Sequence, residues 1–346
     1  MRITGRDRIE SAIRLEEPDR VPVIPEMAAI TARAVGLNLY EFYSSAKIYS
    51  EACISSWKRF QYDEILVWWP HALAEAMGCS LRYPENDYPS IGSPIVKSLE
   101  DVDNLIIPDA RKDGKLPLVL EAMSILNRKT GKEACISGFM YGPYTEAGNL
   151  LGFEKLLIHS LNRSILLQRL CKVMLKAQIE FGKAMIDAGC LVVQLGEPMA
   201  SPPILPVKTY EEIVLPPLTE LTRKLQEAGA FVYWHPCART KGEYPILHQL
   251  LHSVADMVGF SETVDMADIK REFAGKKCIA GNIDPVRIMR RGSPEAVENE
   301  VRVIIEKAGY GGGFILTPGC SLPLDVPLEN IEAMMRSAQK YGKYLK

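Results

Sequence analysis

Short apolar segments recur along the chain between longer segments whose apolar residues repeat with helical spacing. This alternation is typical of parallel strands that are each followed by a helix, because strands covered on both faces are apolar throughout. Eight segments are predicted to be strands: residues 21–27, 62–69, 134–140, 190–197, 230–237, 256–261, 277–283 and 313–319. Amphipathic helices are predicted between them, for example over 167–188, 213–228 and 294–308.

Eight strands that alternate with helices match the number in a closed (β/α)8 barrel, although a doubly wound open sheet can be written with the same elements. We predict an α/β fold of the TIM-barrel type with additional N-terminal helices within residues 1–20 and 30–60. Residues 72–116 form a long excursion that contains Pro and Asp. No low-complexity linker interrupts the chain, so we predict a single TIM-barrel domain over residues 1–346.

The composition limits the classes of molecule that the protein is expected to bind. The chain has 346 residues, of which 47% are hydrophobic and 24% are charged, and its formal net charge is −2. Because positive and negative residues are interspersed, we expect neither a nucleic acid nor a membrane as a partner. No signal peptide and no run of about 18 apolar residues is visible, so we expect a cytoplasmic protein. Its eight cysteines are expected to be reduced thiols, a few of them available for a metal.

Residues with metal-binding chemistry follow two of the predicted strands. His235 and Cys237 end the fifth strand and Cys320 follows the eighth, so all three are expected at the barrel rim where active sites form. One imidazole and two thiolates suit Zn²⁺, and three protein ligands leave a position open for catalysis. The alternative is that both cysteines are buried small apolar residues and that His235 is a core histidine.

Carboxylates and aromatic rings are expected at the same rim. Glu197 follows the fourth strand and is our candidate catalytic residue, as a fourth zinc ligand or an orienting partner of His235; the alternative is an acid at a helix start. Glu262 has a similar position after the sixth strand. The candidates for a substrate pocket are Glu26, Trp68, Trp69, His71, Tyr141, Tyr144, Trp234 and Asn282. Some of the aromatic residues are expected to belong to the core instead.

Several motifs carry a resemblance to a known family. They are residues 17–23 (EPDRVPV), 142–152 (GPYTEAGNLLG), 281–285 (GNIDP), 319–323 (GCSLP) and 327–330 (PLEN). Over nearly the whole chain the sequence resembles the uroporphyrinogen decarboxylase superfamily, and within it the zinc- and corrinoid-dependent methyltransferases. The resemblance implies a (β/α)8 barrel and strengthens the assignment of zinc.

Two branches of this superfamily differ near the first strand. The resemblance implies that a porphyrinogen decarboxylase would carry an Arg-Gln-Ala-Gly-Arg motif there, with basic residues that hold substrate carboxylates. This chain has Glu26-Met27-Ala28 in the corresponding stretch, so decarboxylation is disfavoured. The methyltransferase branch carries H-x-C and a distant Cys as zinc ligands, which correspond to His235, Cys237 and Cys320. Residues 238–242 (ARTKG) depart from the usual continuation in coenzyme M methyltransferases, which leaves the small-molecule substrate open.

The resemblance implies transfer of a methyl group between a small molecule and a corrinoid (cobalamin) that a separate protein carries. The small molecule is either a thiol acceptor or a methyl ether or similar donor, and the aromatic rim slightly favours a flat methoxylated aromatic compound. The sequence leaves open whether the protein forms a homodimer. A different class of function, a non-catalytic corrinoid- or tetrapyrrole-binding module, predicts no tightly held metal.

Overall fold

A seven-stranded parallel sheet forms the centre of the structure, a computed structural model that describes residues 2–200, 204–236 and 246–344. Within these described residues the strands in chain order are β1 Glu64–Val67, β2 Ser80–Arg82, β3 Ser90–Ser93, β4 Cys135–Tyr141, β5 Val192–Gly196, β6 Phe231–His235, β7 Met257–Gly259, β8 Cys278–Ile283 and β9 Phe314–Pro318. The parallel sheet has the order β1-β4-β5-β6-β7-β8-β9, and β2 and β3 form a separate antiparallel hairpin. The last seven predicted strands are confirmed.

The segment that precedes β1 closes the sheet into a barrel. Val23 forms a parallel bridge with Leu316 of β9, and the Ile24 N–H donates to the Leu316 carbonyl at 2.9 Å. On its other side the Asp63 N–H donates to the Val23 carbonyl at 3.1 Å. The predicted first strand is therefore in place but is reduced to a bridge, because Pro22 and Pro25 cannot donate to a ladder. The fold is the predicted TIM barrel, and the open-sheet alternative is excluded.

Helices cover the outside of the barrel and one closes its lower end. The α-helices span Gly5–Ile13, Ile30–Ala34, Leu39–Phe42, Ala46–Phe60, Ala72–Ala76, Leu99–Asp103, Leu116–Thr130, Pro143–Leu151, Phe153–Leu161, Ile165–Asp187, Val207–Thr209, Leu215–Glu227, Leu247–Leu251, Met266–Phe273, Pro294–Ala308 and Leu328–Tyr341. The π-helices are Tyr210–Val214 and Pro285–Arg290, and a 3-10 helix covers Pro198–Ala200. The predicted helices over 167–188, 213–228 and 294–308 are confirmed within a few residues.

The N-terminal helix Gly5–Ile13 plugs the barrel. Its N-terminus is fixed by a capping box, in which Thr4 and Asp7 each accept from the other's backbone N–H. Ile9 and Ile13 are buried against the first residues of several strands, among them Cys135 and Val192. The lower end is thus filled with apolar side chains, which leaves the C-terminal ends of the strands as the open mouth.

The excursion between β1 and β4 reaches over that mouth. It contains the helix Ala72–Ala76, the β2–β3 hairpin and the helix Leu99–Asp103. The hairpin was not predicted, because its strands have only three and four residues and are mostly exposed. Among the described residues, no helix has the length and apolar character that a membrane crossing requires.

Candidate active site

Alternation along the strands decides which side chains reach the mouth of the barrel. In β4, Phe139 and Tyr141 are half-buried, whereas Met140 between them is buried. In β6, Tyr233 belongs to the inner cluster with Val192 and Met257, whereas Trp234 belongs to the outer core. His235 has the same parity as Tyr233, so it faces the barrel interior at the C-terminal end of β6.

His235 is held in place by its neighbour on the strand. The Tyr233 hydroxyl and His235 Nδ1 form a hydrogen bond of 3.1 Å, and the two rings lie edge to face with centroids 5.8 Å apart. Burial lowers the pKa of His235, but a hydrogen bond with the Cys320 thiol and the charges of Cys320 and Glu26 outweigh it and raise the pKa. The structure therefore brings His235 and Cys320 together, although 85 residues of sequence separate them.

Cys320 reaches this position because Gly319 allows two loops to pack closely. A Cβ on Gly319 would lie 2.6 Å from the backbone nitrogen of Glu262 and 2.9 Å from its Oε2 atom. Any side chain there would push the loop after β9 away from the loop after β7. Cys320 itself is half-buried, in contrast to Cys53, Cys79, Cys135, Cys171, Cys190 and Cys278, which are buried as expected of structural thiols.

Glu26 is the carboxylate that acts on the His235–Cys320 pair. Its side chain is buried, and its backbone has a left-handed φ of 52° directly after Pro25. Burial raises the pKa of Glu26, the charge of His235 lowers it and the charge of Cys320 raises it, with a raised pKa as the net result. Glu26 was predicted as a substrate-pocket residue, and the structure places it beside two of the three predicted zinc ligands.

A second buried acid, Glu64, lies close to Glu26. Burial and the charge of Glu26 raise the pKa of Glu64 to about 8. Gln194 Nε2 on β5 donates to Glu64 Oε1 at 2.8 Å. The carboxyl group of Glu64 therefore carries a proton at neutral pH. The sequence did not single out Glu64, because it begins a strand whose other residues are apolar.

Glu197 makes the contacts of a helix cap. Its Oε1 accepts from the Tyr144 N–H at 3.1 Å and its Oε2 accepts from the Thr145 N–H at 2.8 Å, at the start of helix Pro143–Leu151. Burial raises the pKa of Glu197 to about 7, and the hydrogen bonds with Thr145 and Tyr144 oppose this rise. These contacts match the helix-start alternative for Glu197, whereas Glu26 is the acid whose charge interacts with His235 and Cys320.

Four half-buried aromatic residues line one side of the mouth, and we call them the aromatic wall: Trp68, Tyr88, Phe139 and Tyr141. The Trp68 ring centroid lies 5.2 Å from that of Tyr88 and 5.2 Å from that of Phe139, and Phe139 lies 5.3 Å from Tyr141. Trp68 and Tyr141 were predicted as pocket residues. Tyr88 was missed, since it belongs to the excursion rather than to a strand end.

His71 adjoins the aromatic wall at Tyr141. Its ring stacks on Tyr141 with centroids 5.3 Å apart and an angle of 29° between the planes. Burial lowers the pKa of His71 to about 4, so the imidazole is neutral at pH 7. His71 was predicted to belong to the pocket, and the structure places its ring against Tyr141.

Three predicted pocket residues lie in the outer core, and here the expectation needs correction. Trp69 packs between Tyr43 and Tyr49, with ring centroids at 5.3 and 5.4 Å. Trp234 Nε1 donates to Thr222 Oγ1 at 2.8 Å, within the helix layer. Each of these tryptophans is adjacent in sequence to a residue that faces the barrel interior. Strand alternation therefore directs both tryptophan side chains outward, toward the helices.

Tyr144 is the third of these residues. It is buried, and its hydroxyl forms a 2.8 Å hydrogen bond with Ser160 Oγ between two helices.

Asn282, also predicted as a pocket residue, holds a loop in place, since its Nδ2 donates to the carbonyls of Ser261 and Val264 at 2.8 and 2.9 Å. It braces the loop that carries Glu262.

The third predicted zinc ligand, Cys237, lies outside the described residues. Within residues 2–200, 204–236 and 246–344, no three His, Cys, Asp or Glu side chains are grouped closely enough to hold a metal ion. The described part of the predicted ligand set is therefore the pair His235 and Cys320.

Comparison with known proteins places the whole chain in one family. The family model for uroporphyrinogen decarboxylase (URO-D) matches residues 4–341. Methylcobamide:CoM methyltransferase MtaA of Methanosarcina barkeri is 25% identical over 346 residues, which cover 98% of each chain. A uroporphyrinogen decarboxylase of Psychromonas ingrahamii is 26% identical over 340 residues, which cover 94% of each chain. The solved structure of a methyltransferase from Methanosarcina mazei matches with a TM-score of 0.87 at 24% identity, over 98% of this chain and 99% of that one.

Proposed function

This chain belongs to the uroporphyrinogen decarboxylase family, and we propose that it is a zinc-dependent methyltransferase that moves a methyl group between a small molecule and a corrinoid carried by a partner protein. The observation that carries the proposal is the pairing of His235 with Cys320 beside the buried Glu26 at the barrel mouth. Relatives that are named methylcobamide:CoM methyltransferases and cover nearly the whole chain support the same reaction class.

The donor set fits zinc. An imidazole nitrogen and a thiol sulfur that already interact are the ligand types Zn²⁺ prefers, and Cys237 would supply the third. Tyr233 engages Nδ1 of His235, which fixes the ring and leaves Nε2 for the metal. When bound, zinc would lower the pKa of a thiol acceptor or act as a Lewis acid on an ether oxygen.

The residues around this set have defined tasks in either direction of transfer. For a thiol acceptor, sulfur forms the new bond to the methyl carbon, the cobalt–carbon electron pair stays on cobalt, and the thiol proton must leave. For a methyl ether donor, reduced cobalt supplies the electron pair for the new bond, and the ether oxygen keeps the old pair and takes a proton. Glu26, whose pKa is raised by burial, is the described acid beside the pair that can accept or return this proton.

Decarboxylation of a porphyrinogen is the second candidate, because decarboxylases of the family are as similar in sequence as the methyltransferases. The buried acid Glu26 argues against it. Glu26 stands in the stretch that corresponds to the basic motif of the decarboxylases, so a substrate rich in carboxylates would meet an acid there instead of basic residues. We therefore expect no turnover of uroporphyrinogen.

The test combines metal content with methyl transfer. Purified wild-type protein should hold about one zinc per chain, and His235→Ala, Cys237→Ala and Cys320→Ala should each lose most of it while the barrel stays folded. Cys278→Ala, at the opposite end of the barrel, is the matched control and should keep the metal. The zinc-loaded enzyme should also transfer methyl between a corrinoid protein and either thiols or methyl ethers.

The two halves of this test can fail separately. Metal-free wild-type protein from zinc-replete cells would refute the zinc site and favour a non-catalytic corrinoid- or tetrapyrrole-binding module. Zinc-loaded enzyme that transfers no methyl group with any donor or acceptor, given a competent corrinoid protein, would refute the reaction.

A further inference from the structure

We propose that the outer side of the barrel between helices Phe153–Leu161 and Leu215–Glu227 binds a second copy of this chain, so that the protein is a two-fold symmetric dimer. The proposal goes beyond the methyl-transfer reaction and does not depend on it. It rests on three features of this surface: exposed apolar side chains, a groove beside them, and charges of both signs around them.

The helix Phe153–Leu161 turns more apolar side chains toward solvent than toward the core. The buried residues of this helix are Leu156 and Ser160. Four large apolar side chains on this helix and at the start of the next are 44 to 66% exposed, and we call them the apolar stripe: Phe153, Ile158, Leu161 and Ile165. A surface helix of a monomer has the opposite distribution, so the stripe is typical of an interaction surface.

A groove lies beside the stripe. It has a volume of about 300 Å³ and runs between the helix Ile165–Asp187 and residues 212–220. The stripe and the groove adjoin, because Arg163 lines the groove and lies between Leu161 and Ile165 in sequence. The stripe of the same chain is exposed and therefore does not fill the groove, whereas the stripe of a second copy can. The apolar lining consists of Cys171, Leu175, Ile213, Pro216 and Pro217.

Hydrogen bonds hold the turn that joins the stripe to the groove. His159 Nδ1 and Ser164 Oγ form a hydrogen bond of 2.8 Å, and the Leu166 N–H donates to Ser164 Oγ at 3.2 Å. Arg163 Nε donates to Glu212 Oε2 at 2.7 Å, which ties the turn to the other side of the groove. The surface is therefore preorganised, and less conformational entropy is lost when a partner binds.

Charges of both signs surround the stripe and the groove. A two-fold axis places a patch against itself, so a patch that carries both signs can meet its own opposite charges. An anionic membrane or a nucleic acid would instead require an excess of basic residues. The charges therefore favour a second copy of the chain. The basic residues are Lys155, Arg163 and Lys172, and the acidic residues are Glu154, Glu212 and Glu220.

The exposed apolar area is close to what a stable dimer requires. A fully exposed aromatic side chain presents about 150–250 Å², so four large side chains at roughly half exposure contribute on the order of 400 Å². A standard interface buries about 800 Å² per partner, of which about 56–65% is apolar. The stripe supplies most of this apolar share, and the lining of the groove supplies the remainder.

Sedimentation equilibrium of the full-length protein tests the proposal. Wild type should be a dimer with a dissociation constant of about 10 µM or tighter. Leu161→Glu and Ile165→Glu each place a charge in the interface and should weaken the dimer at least about 30-fold. Both side chains are exposed, so both variants should fold, and thermal unfolding checks this. Tyr310→Glu, in the loop before β9, is the matched exposed control and should dimerise like wild type.

Hydrogen exchange locates the interface. Amides of Phe153–Leu161 should exchange more slowly in wild type at about 100 µM than at about 0.1 µM, and Leu161→Glu should abolish this difference. A monomeric wild type, or a dimer that both glutamate variants leave intact, would overturn the proposal. Protection of this helix in a monomer only when a corrinoid protein or anionic vesicles are added would assign the stripe to that partner and also overturn it. A monomeric enzyme that transfers methyl groups would overturn the dimer alone and leave the proposed function intact.

Discussion

Replacement of Glu64 by Gln should make the protein more stable at alkaline pH while leaving it almost unchanged in mild acid. Glu64 is 2% exposed, and its pKa rises from the ordinary 4.5 to about 8 through burial and the charge of Glu26. The amide of Gln has the same shape and can still accept from Gln194. The variant therefore removes the ionisable group at position 64 and keeps its packing.

The sign follows from proton linkage. Between pH 4.5 and 8 the unfolded chain loses the Glu64 proton whereas the folded protein keeps it, so stability falls as pH rises through this window. Each pKa unit corresponds to about 1.4 kcal/mol, which gives an upper bound on the order of 5 kcal/mol over the whole window. Glu146 and Glu197, each with a pKa of about 7, contribute the same sign and remain in the variant.

Thermal unfolding of zinc-free protein at pH 5 and pH 8.5 measures the difference. Glu64→Gln should melt close to wild type at pH 5 and several degrees higher at pH 8.5. Glu121→Gln, on the exposed face of helix Leu116–Thr130, is the matched control and should follow wild type at both values. Parallel loss of stability in wild type and Glu64→Gln from pH 5 to pH 8.5 would show that Glu64 is not a buried neutral acid.

Two further variants test the supports of the site. Glu197→Ala leaves the Tyr144 and Thr145 N–H groups without their acceptors and should cost about 2–4 kcal/mol in unfolding free energy, yet retain zinc; loss of zinc at unchanged stability would instead make Glu197 a ligand. Gly319→Ala places a methyl group 2.6 Å from the Glu262 nitrogen and should weaken zinc binding about 10- to 100-fold by displacing Cys320, and wild-type affinity in a competition with a chelator would contradict this.

The strand pattern predicted most of the barrel because buried parallel strands are apolar along their length. Seven strands were found within a few residues of their predicted ends, and Pro22 and Pro25 explain why the eighth is only a bridge. Their C-terminal ends correctly located His235 and Cys320 at one rim. This part of the site follows from topology alone.

The remaining parts depend on long-range packing. Trp69 and Trp234 were assigned to the pocket by proximity to strand ends, whereas alternation turns them into the outer core. Glu64 is unremarkable in sequence, since its perturbed pKa arises from burial in the folded barrel and then from the charge of Glu26, 38 positions earlier. Tyr88 reaches the mouth only through the folding of the β2–β3 hairpin, which no local sequence pattern predicts.

X-ray absorption at the zinc K-edge tests the central claim most directly, because it counts the sulfur and nitrogen neighbours of the metal. Zinc-loaded wild type should show two sulfur neighbours at about 2.3 Å and one nitrogen at about 2.0–2.1 Å, with the remaining position filled by a light atom. Cys320→Ala, reloaded with zinc, should show one sulfur neighbour. A metal shell without sulfur, or an unchanged sulfur count in Cys320→Ala, would contradict a zinc site built on His235, Cys237 and Cys320.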